Sequence, residues 1–405
     1  MARILFTWEL GGGFGHLVRY MGTFRALRDR GHEVTLVVRD LANTEKVFGP
    51  ETSKGGFRFL QAPVQLRPPA RPVRQLSYAH LLQAVGFGDA DGLAGRIRAW
   101  HGVLDHVRPD LVIHDHSPTA ALACHALDCP RYYCGSGFLL PPCTVPLPPM
   151  RYWESVTAEQ LRAAEAPVLD VIGAVASRLG GTIKSLDNLA GLFEEVRPVL
   201  LTHPELDHYP DRGAAEYFGA PLSDGDFGER AGWPAGTGPR VFAYLSPFKT
   251  LGALFDELAR IGARTLVYGP EIPVEVRQRH AGKSIRFVDR PLSIGQMGSE
   301  CDLAINHANL ATVTEMLLAG KPVLMLPTTL ERQMLARRVA ALGAGLAAPR
   351  LLPEGMATKL RALIEDARYR SAAERFAAKY GATAPRPDPL LFLIDAALAG
   401  APGNP

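Results

Sequence analysis

The stretch from Asp302 to Gly345 constrains this chain more than any other. A short apolar strand, Leu303 to Ile305, runs into the polar turn His307-Ala308-Asn309. The pattern then predicts a helix opened by Ala311-Thr312, with Glu315 in its first turn. Gly320, a second apolar strand from Pro322 to Leu326, a Pro-Thr-Thr turn and another amphipathic helix follow. Strand, polar turn and helix N-terminus together make an anion site, because unbonded backbone N–H groups and the helix dipole converge there. A carboxylate just inside the helix suits a ribose hydroxyl pair. The segment reads as a nucleotide-diphosphate site.

The same alternation opens the chain. Arg3 to Trp8 reads as a strand, Gly11 to Gly15 as a loop, His16 to Arg30 as a helix stopped by Gly31-His32, and Glu33 to Val38 as a second strand. That βαβ order requires a parallel sheet with a right-handed crossover. Residues 61–75, rich in proline and arginine, read as an irregular loop. A buried strand, Leu111 to Ile113, ends at His114-Asp115-His116, and a helix (Thr119 to Leu127) and a strand (Arg131 to Cys134) repeat the pattern. The proline-rich segment 141–149 and the helical region 154–195 form a large insertion, read as substrate-facing, with Phe138, Pro142, Leu147 and Trp153 hinting at an apolar or aromatic acceptor. Strand Val199 to Thr202 closes the first half.

Residues 223–239 hold glycine, proline and charge without apolar periodicity, as a linker does. From Arg240 the alternation restarts, with strands Val241 to Leu245, Arg264 to Tyr268 and Ile285 to Val288 around a helix from Leu251 to Ile261. At 405 residues the chain is too long for one ordinary core. The expected fold is therefore α/β, with two Rossmann-like parallel-sheet domains facing a central cleft where strand carboxyl ends meet a ligand. The expected boundaries are 1–225 for the acceptor-binding domain, 226–238 for the linker and 239–388 for the donor-binding domain. Residues 389–405 are the C-terminal helix and tail.

Composition removes several function classes. A net charge of +3 over this length gives no basic stripe for nucleic acid. The five cysteines form no CxxC pair and are odd in number, against a disulfide framework or zinc knuckle and in favour of a reducing cytoplasm. The N-terminal apolar run is too short for a secretory signal, and no stretch approaches the ~18 apolar residues of a membrane span. A soluble, cytoplasmic protein is expected, with contact to a membrane surface left open.

Each candidate residue has a bland reading beside the chemical one. Gly11-Gly12-Gly13-Phe14-Gly15-His16 only half fits GxGxxG and is satisfied by a tight turn. A histidine at a helix start is disfavoured as a cation, so neutral His16 is either a general base or an incidental cap residue. Asp115 either accepts the second ring N–H of His16 or caps the helix near Thr119. His114, Asp115, His116 and His125 are poorly spaced for a metal. In the second half Ser246, His307 and Thr312 suit phosphate oxygens, Glu315 a ribose, and Glu331-Arg332-Gln333 sugar hydroxyls, though each alone could serve a turn or a helix start.

Taken together these residues resemble GT-B fold glycosyltransferases of the family 1 type, which include bacterial macrolide and glycopeptide transferases and plant flavonoid transferases. Gly15-His16-Leu17 matches the family's glycine-rich loop, which sets Gly13, Phe14 and Gly15 on the acceptor side and the family's catalytic base on His16. The aspartate paired with that base falls on Asp115. The family's donor motif lies along 307–333: His307, Ala308, Asn309 and Thr312 would meet diphosphate, Glu315 ribose, and Glu331, Arg332 and Gln333 the sugar. Ala308 and Asn309 replace two glycines, Glu331-Arg332 replaces an Asp-Gln pair, and Arg290-Pro291-Leu292 stands near the place of a base-stacking aromatic segment.

The resemblance implies an inverting, metal-independent transferase. It would move a hexose from a UDP- or dTDP-linked donor to the hydroxyl of a small-molecule, lipid or saccharide acceptor, with no cofactor. The alternatives are a nucleotide-sugar epimerase or hydrolase of similar build, a non-catalytic partner of an active transferase, and a dinucleotide oxidoreductase.

Overall fold

The computed structural model describes residues 1–49, 56–66, 74–220, 228–348, 353–381 and 388–400. The chain divides into two compact units, Met1–Pro221 with Arg386–Pro405, and Leu222–Pro385.

The first unit is built on six strands: β1 (Arg3–Trp8), β2 (Glu33–Val38), β3 (Arg58–Gln61), β4 (Leu111–Asp115), β5 (Arg131–Gly135) and β6 (Arg197–Leu200). They lie in the order β3-β2-β1-β4-β5-β6 and every neighbouring pair is parallel. The second unit repeats the plan with β7 (Arg240–Tyr244), β8 (Arg264–Tyr268), β9 (Ile285–Val288), β10 (Leu303–Asn306), β11 (Val323–Met325) and β12 (Gly345–Ala347), all parallel, in the order β12-β11-β10-β7-β8-β9. In each unit the strand order reverses beside the first strand, between β1 and β4 and between β7 and β10. An open parallel sheet takes its ligands at such a reversal, outside the strand carboxyl ends.

The strands form where β-branched and aliphatic runs are buried on both faces, as helices packed on either side of a parallel sheet require. Ile4, Phe6 and Trp8 pack with Leu17, Tyr20, Phe24 and Phe48 in one core of the first unit. Leu390, Leu393 and Ile394 from the final helix (Pro389–Leu398) complete it, so the end of the chain closes the core that its beginning starts. In the second unit Val241, Ala243, Ile305 and Leu324 pack with Leu254, Phe255, Leu258 and Leu360.

Several expectations shift by local physics. β4 continues two residues past Ile113 and includes His114 and Asp115, because both pair with β5. The expected helix from His16 to Arg30 is two helices, Gly15–Val18 and Met21–Asp29. The break coincides with a side-chain bond: the Arg19 guanidinium Nε donates to the Gly15 carbonyl at 2.5 Å. β3 and β12 carry too few apolar residues to stand out in the sequence and are held by pairing with β2 and β11.

Part of the expected linker lies outside the described residues, which resume at Gly228. From there the chain is bound to the second unit. Glu229 bridges Leu292, Gln296 bonds both backbone groups of Ala231 at 3.1 Å, and the Trp233 indole donates to Glu300 at 2.7 Å. Among the described residues no helix is long and apolar enough to cross a membrane.

Candidate active site

In the first unit the strand-order reversal brings two sequence-distant residues into contact. Trp8 and Asp115 are register partners at the ends of β1 and β4. The glycine loop after β1 then turns back and delivers His16, whose Nδ1 lies 2.8 Å from Asp115 Oδ1. The His16 ring stacks on the Trp8 indole with centroids 5.1 Å apart and planes 17° apart. Asp115 is fully buried, whereas the His16 side chain keeps 13% of its surface exposed. The carboxylate therefore orients and the imidazole remains accessible.

Burial pushes the Asp115 carboxyl up, but the His16 and Arg19 charges and the hydrogen bond from His16 outweigh it and hold the group below its ordinary value. An ionised Asp115 accepts, so His16 Nδ1 carries the proton and Nε2 presents a lone pair, the protonation pattern of a general base. That lone pair lies against Gly11. A Cβ on Gly11 would fall 2.5 Å from His16 Nε2, and the residue has φ +85, so two independent constraints require glycine there.

The helix-cap reading of Asp115 fails for a specific reason. The helix Pro118–Ala123 has no side-chain cap from Ser117. Its first-turn donors go instead to Glu9, whose Oε2 accepts from Thr119 N at 3.0 Å and Oε1 from Ala120 N at 2.9 Å. The Trp100 indole also donates to Glu9 Oε1, at 2.5 Å. Asp115 is thereby left to His16. Sequence reasoning passed over Glu9, since a carboxylate 110 residues from a helix start carries no local signal. It also passed over Trp8, and it weighed His116 only as a metal candidate, whereas its ring lies 6.4 Å from that of His16 at an interplanar angle of 21°. His116 has φ +47, unusual for a side chain of its size, and burial holds its imidazole down to about 3, hence neutral.

The acceptor-side loop is solvent-facing at Gly13 and Gly15, with Phe14 half-buried beside the Lys46 ammonium, 6.0 Å from its ring centroid. In the insertion, Phe138 and Leu147 are buried and Trp153 is half-buried. Among the described residues no group of three or more His, Cys, Asp or Glu side chains is placed to hold a metal ion.

In the second unit the equivalent strand ends carry Ser246 and His307. His307 Nε2 accepts from the Ser246 backbone N–H at 2.8 Å, and Nδ1 donates to the Leu326 carbonyl at 2.8 Å. Both ring nitrogens are thus committed to holding the loops after β7, β10 and β11 together, and the ring has no N–H left for a phosphate in this arrangement. Ala308 occupies the left-handed region at φ +61, and its N–H donates to Asn306 Oδ1 at 2.7 Å. The backbone therefore takes the turn a glycine would take freely, at a cost of about 1–2 kcal/mol for alanine.

The following helix starts at Leu310, capped at Asn309 without a side-chain hydrogen bond. Thr312 falls in its first turn. Glu315 is the sixth residue of this helix and falls in its second turn, not the first as expected. Glu331 and Arg332 open the next helix, Leu330–Leu342, whose cap Thr329 accepts from Arg332 N at 3.4 Å and whose backbone C=O accepts from Gln333 N at 2.9 Å. Arg332 Nη1 donates to Thr328 Oγ1 at 2.6 Å, and burial raises the Tyr244 hydroxyl while the Arg332 charge partly offsets it. Arg332 thus lies near the carboxyl end of β7, on the side of the sheet where Ser246 and His307 stand.

Known proteins resemble the chain in sequence and in fold. Residues 253–392 match the family of the erythromycin biosynthesis protein CIII-like C-terminal domain. The zeaxanthin glucosyltransferase of Pseudescherichia vulneris is 26% identical over 366 residues, covering 82% of this chain and 83% of that protein. The calicheamicin glycosyltransferase CalG4 superposes with a TM-score of 0.71 at 17% identity over 99% of both chains. The glycosyltransferase VinC, solved in complex with dTDP, superposes with a TM-score of 0.63 at 18% identity, over 94% of this chain and 95% of VinC. The chain is a glycosyltransferase with the GT-B fold, and its residues 253–392 carry an EryCIII-like C-terminal domain.

Proposed function

We propose that the protein transfers a hexose from a UDP- or dTDP-linked donor to an acceptor hydroxyl, with inversion and without a metal ion. The contact between His16 Nδ1 and Asp115 Oδ1, at 2.8 Å with Nε2 left basic, carries this reading. His16 Nε2 takes the acceptor proton as the acceptor oxygen forms its bond to the anomeric carbon. The bond from that carbon to the diphosphate oxygen breaks on the opposite face, and its electron pair leaves with the diphosphate. Ionised Asp115 stabilises the imidazolium.

The diphosphate meets the N-terminus of the helix Leu310–Leu318, whose first-turn N–H groups lack a side-chain cap and whose dipole favours negative charge. Ala308, Asn309 and Thr312 line that end, Ser246 stands beside it, Glu315 meets the ribose, and Glu331, Arg332 and Gln333 meet the sugar. The dTDP bound by VinC and the glucosyl transfer in the name of the zeaxanthin relative support a nucleotide-linked hexose. The acceptor is a small molecule, a lipid or a saccharide, received by Gly13, Phe14, Gly15 and the insertion. The free cysteines, three of them buried, favour a reducing cytoplasm.

A positioned general base contributes roughly 10²–10⁴ in rate. His16→Ala should lose turnover by that factor with a panel of nucleotide sugars and acceptors, while UDP or dTDP still raises Tm as in the native protein. An alanine variant with near-native turnover would remove His16 from the reaction.

A further inference from the structure

Glu9 is fully buried and accepts three hydrogen bonds, from Trp100 Nε1, Thr119 N and Ala120 N. Its own backbone carbonyl accepts from Arg39 Nη1 at 3.1 Å. One residue thus ties the end of β1 to the segment after β2, to the long helix Ala90–Val107 and to the helix that follows β4. Its neighbours extend the tie. Leu10 N donates to the His116 carbonyl at 3.1 Å, and the Trp8 indole, on which His16 stacks, donates to the Leu10 carbonyl at 2.8 Å.

Burial pushes the Glu9 carboxyl up to about 7 against the pull of its N–H donors. What the carboxylate does is occupy the first-turn N–H groups of the helix Pro118–Ala123. Without it, the carboxylate nearest those donors in sequence is Asp115, whose second oxygen is buried with only the Tyr20 hydroxyl beside it. Asp115 would then be drawn to the helix end, as an aspartate before a helix ordinarily is.

We propose that Glu9 is a positioning residue for the transfer reaction: by capping the helix after β4 from the end of β1, it reserves Asp115 for His16 and fixes the loop that carries His16. The proposal rests on the function assigned above to the His16–Asp115 pair, and it predicts an effect on that pair that a merely structural glutamate would not have.

The test is nitrogen-detected NMR of the full-length protein labelled with ¹⁵N-histidine, with the His16 signals assigned from the His16→Asn spectrum. In the native protein His16 Nδ1 is protonated and Nε2 is bare. Glu9→Gln keeps the volume but offers one carbonyl oxygen to three donors and sets an NH₂ against an N–H. It should shift the His16 tautomer toward Nε2–H and lower kcat by about 10²-fold, the cost of a misplacement near 1 Å, with KM for the nucleotide sugar unchanged. A Glu9→Gln protein that loses Tm but keeps the native His16 tautomer and kcat within twofold overturns the proposal. Should Glu9→Gln fail to fold, Trp100→Phe removes one of the three donors and is read the same way. A native His16 tautomer and kcat in that variant counts against the proposal as well. The nitrogen signals need no substrate, so a protein inactive on every donor would defeat the functional reading and leave this one to be judged by the tautomer.

Discussion

Replacing Gly11 by alanine isolates the catalytic geometry from the stability of the fold. Gly11 has φ +85, and a Cβ there would stand 2.5 Å from His16 Nε2 and 3.0 Å from Cε1. Non-bonded atoms rest at about 3.5–4.0 Å, so the imidazole must withdraw by about 1 Å. Its Nδ1 is held to Asp115 at 2.8 Å, and a withdrawal of that size breaks or bends that bond. A misplacement near 1 Å costs about 10²-fold, or close to 2.7 kcal/mol of barrier. The left-handed backbone adds about 1–2 kcal/mol of lost stability.

Gly31→Ala separates the two effects. Gly31 has φ +82 with nothing within 4 Å of its Cβ position, so it carries the backbone cost alone. The assay is kcat for nucleotide-sugar turnover beside urea unfolding for both variants. Gly11→Ala should lose about two orders of magnitude in kcat, and Gly31→Ala none, at similar losses of stability. Equal kcat in the two variants would refute the placement of His16 Nε2 against Gly11 as the reacting nitrogen.

Further outcomes follow from other parts of the structure. His307→Ala strands the buried Leu326 carbonyl, while the Ser246 N–H, on an exposed residue, can turn to water, and at about 1–3 kcal/mol for a buried group it should lower urea stability by about 1–3 kcal/mol. A loss under about 1 kcal/mol would show the ring is not what joins those loops. Leu393→Ala in the final helix empties part of the first unit's core and should cost about 2–5 kcal/mol, whereas a dispensable tail would show no change in unfolding. Glu9 supplies a pH signature. Burial lifts its carboxyl from 4.5 to about 7, with Arg96 the nearby cation and the Tyr78 and Tyr133 hydroxyls facing it. A carboxyl raised by folding stabilises the native state fully below 4.5, and that stability is lost as pH climbs through about 7. The stability of the native protein minus that of Glu9→Gln should therefore fall by about 3 kcal/mol between pH 4 and pH 8. A flat difference would place the Glu9 titration elsewhere.

Much of the fold was legible because period and punctuation are local. The runs Arg3–Trp8, Glu33–Val38, Arg264–Tyr268 and Ile285–Val288 are strands at the residues expected from their apolar patterns. β3 and β12 were not legible, since Arg58–Gln61 and Gly345–Ala347 are held by neighbouring strands more than by their own composition. The candidate site divides along the same line. His16 and Asp115 could be named from a glycine loop and a strand end, but Glu9, Trp8 and His116 gain their importance only from what stands beside them.

By itself the sequence determined two α/β halves, their strand–turn–helix ligand ends and the residue types placed there. It could not decide how those residues share their hydrogen bonds. Asp115 was open to two partners, and the choice fell to His16 because Glu9, brought alongside by the pairing of β1 with β4, already holds the helix donors. The His307 ring nitrogens bond to Ser246 and Leu326, partners that only the parallel pairing of β7, β10 and β11 sets within reach. Buried donors and acceptors must all be matched, and which partner each one finds depends on distances between strands that no local pattern encodes.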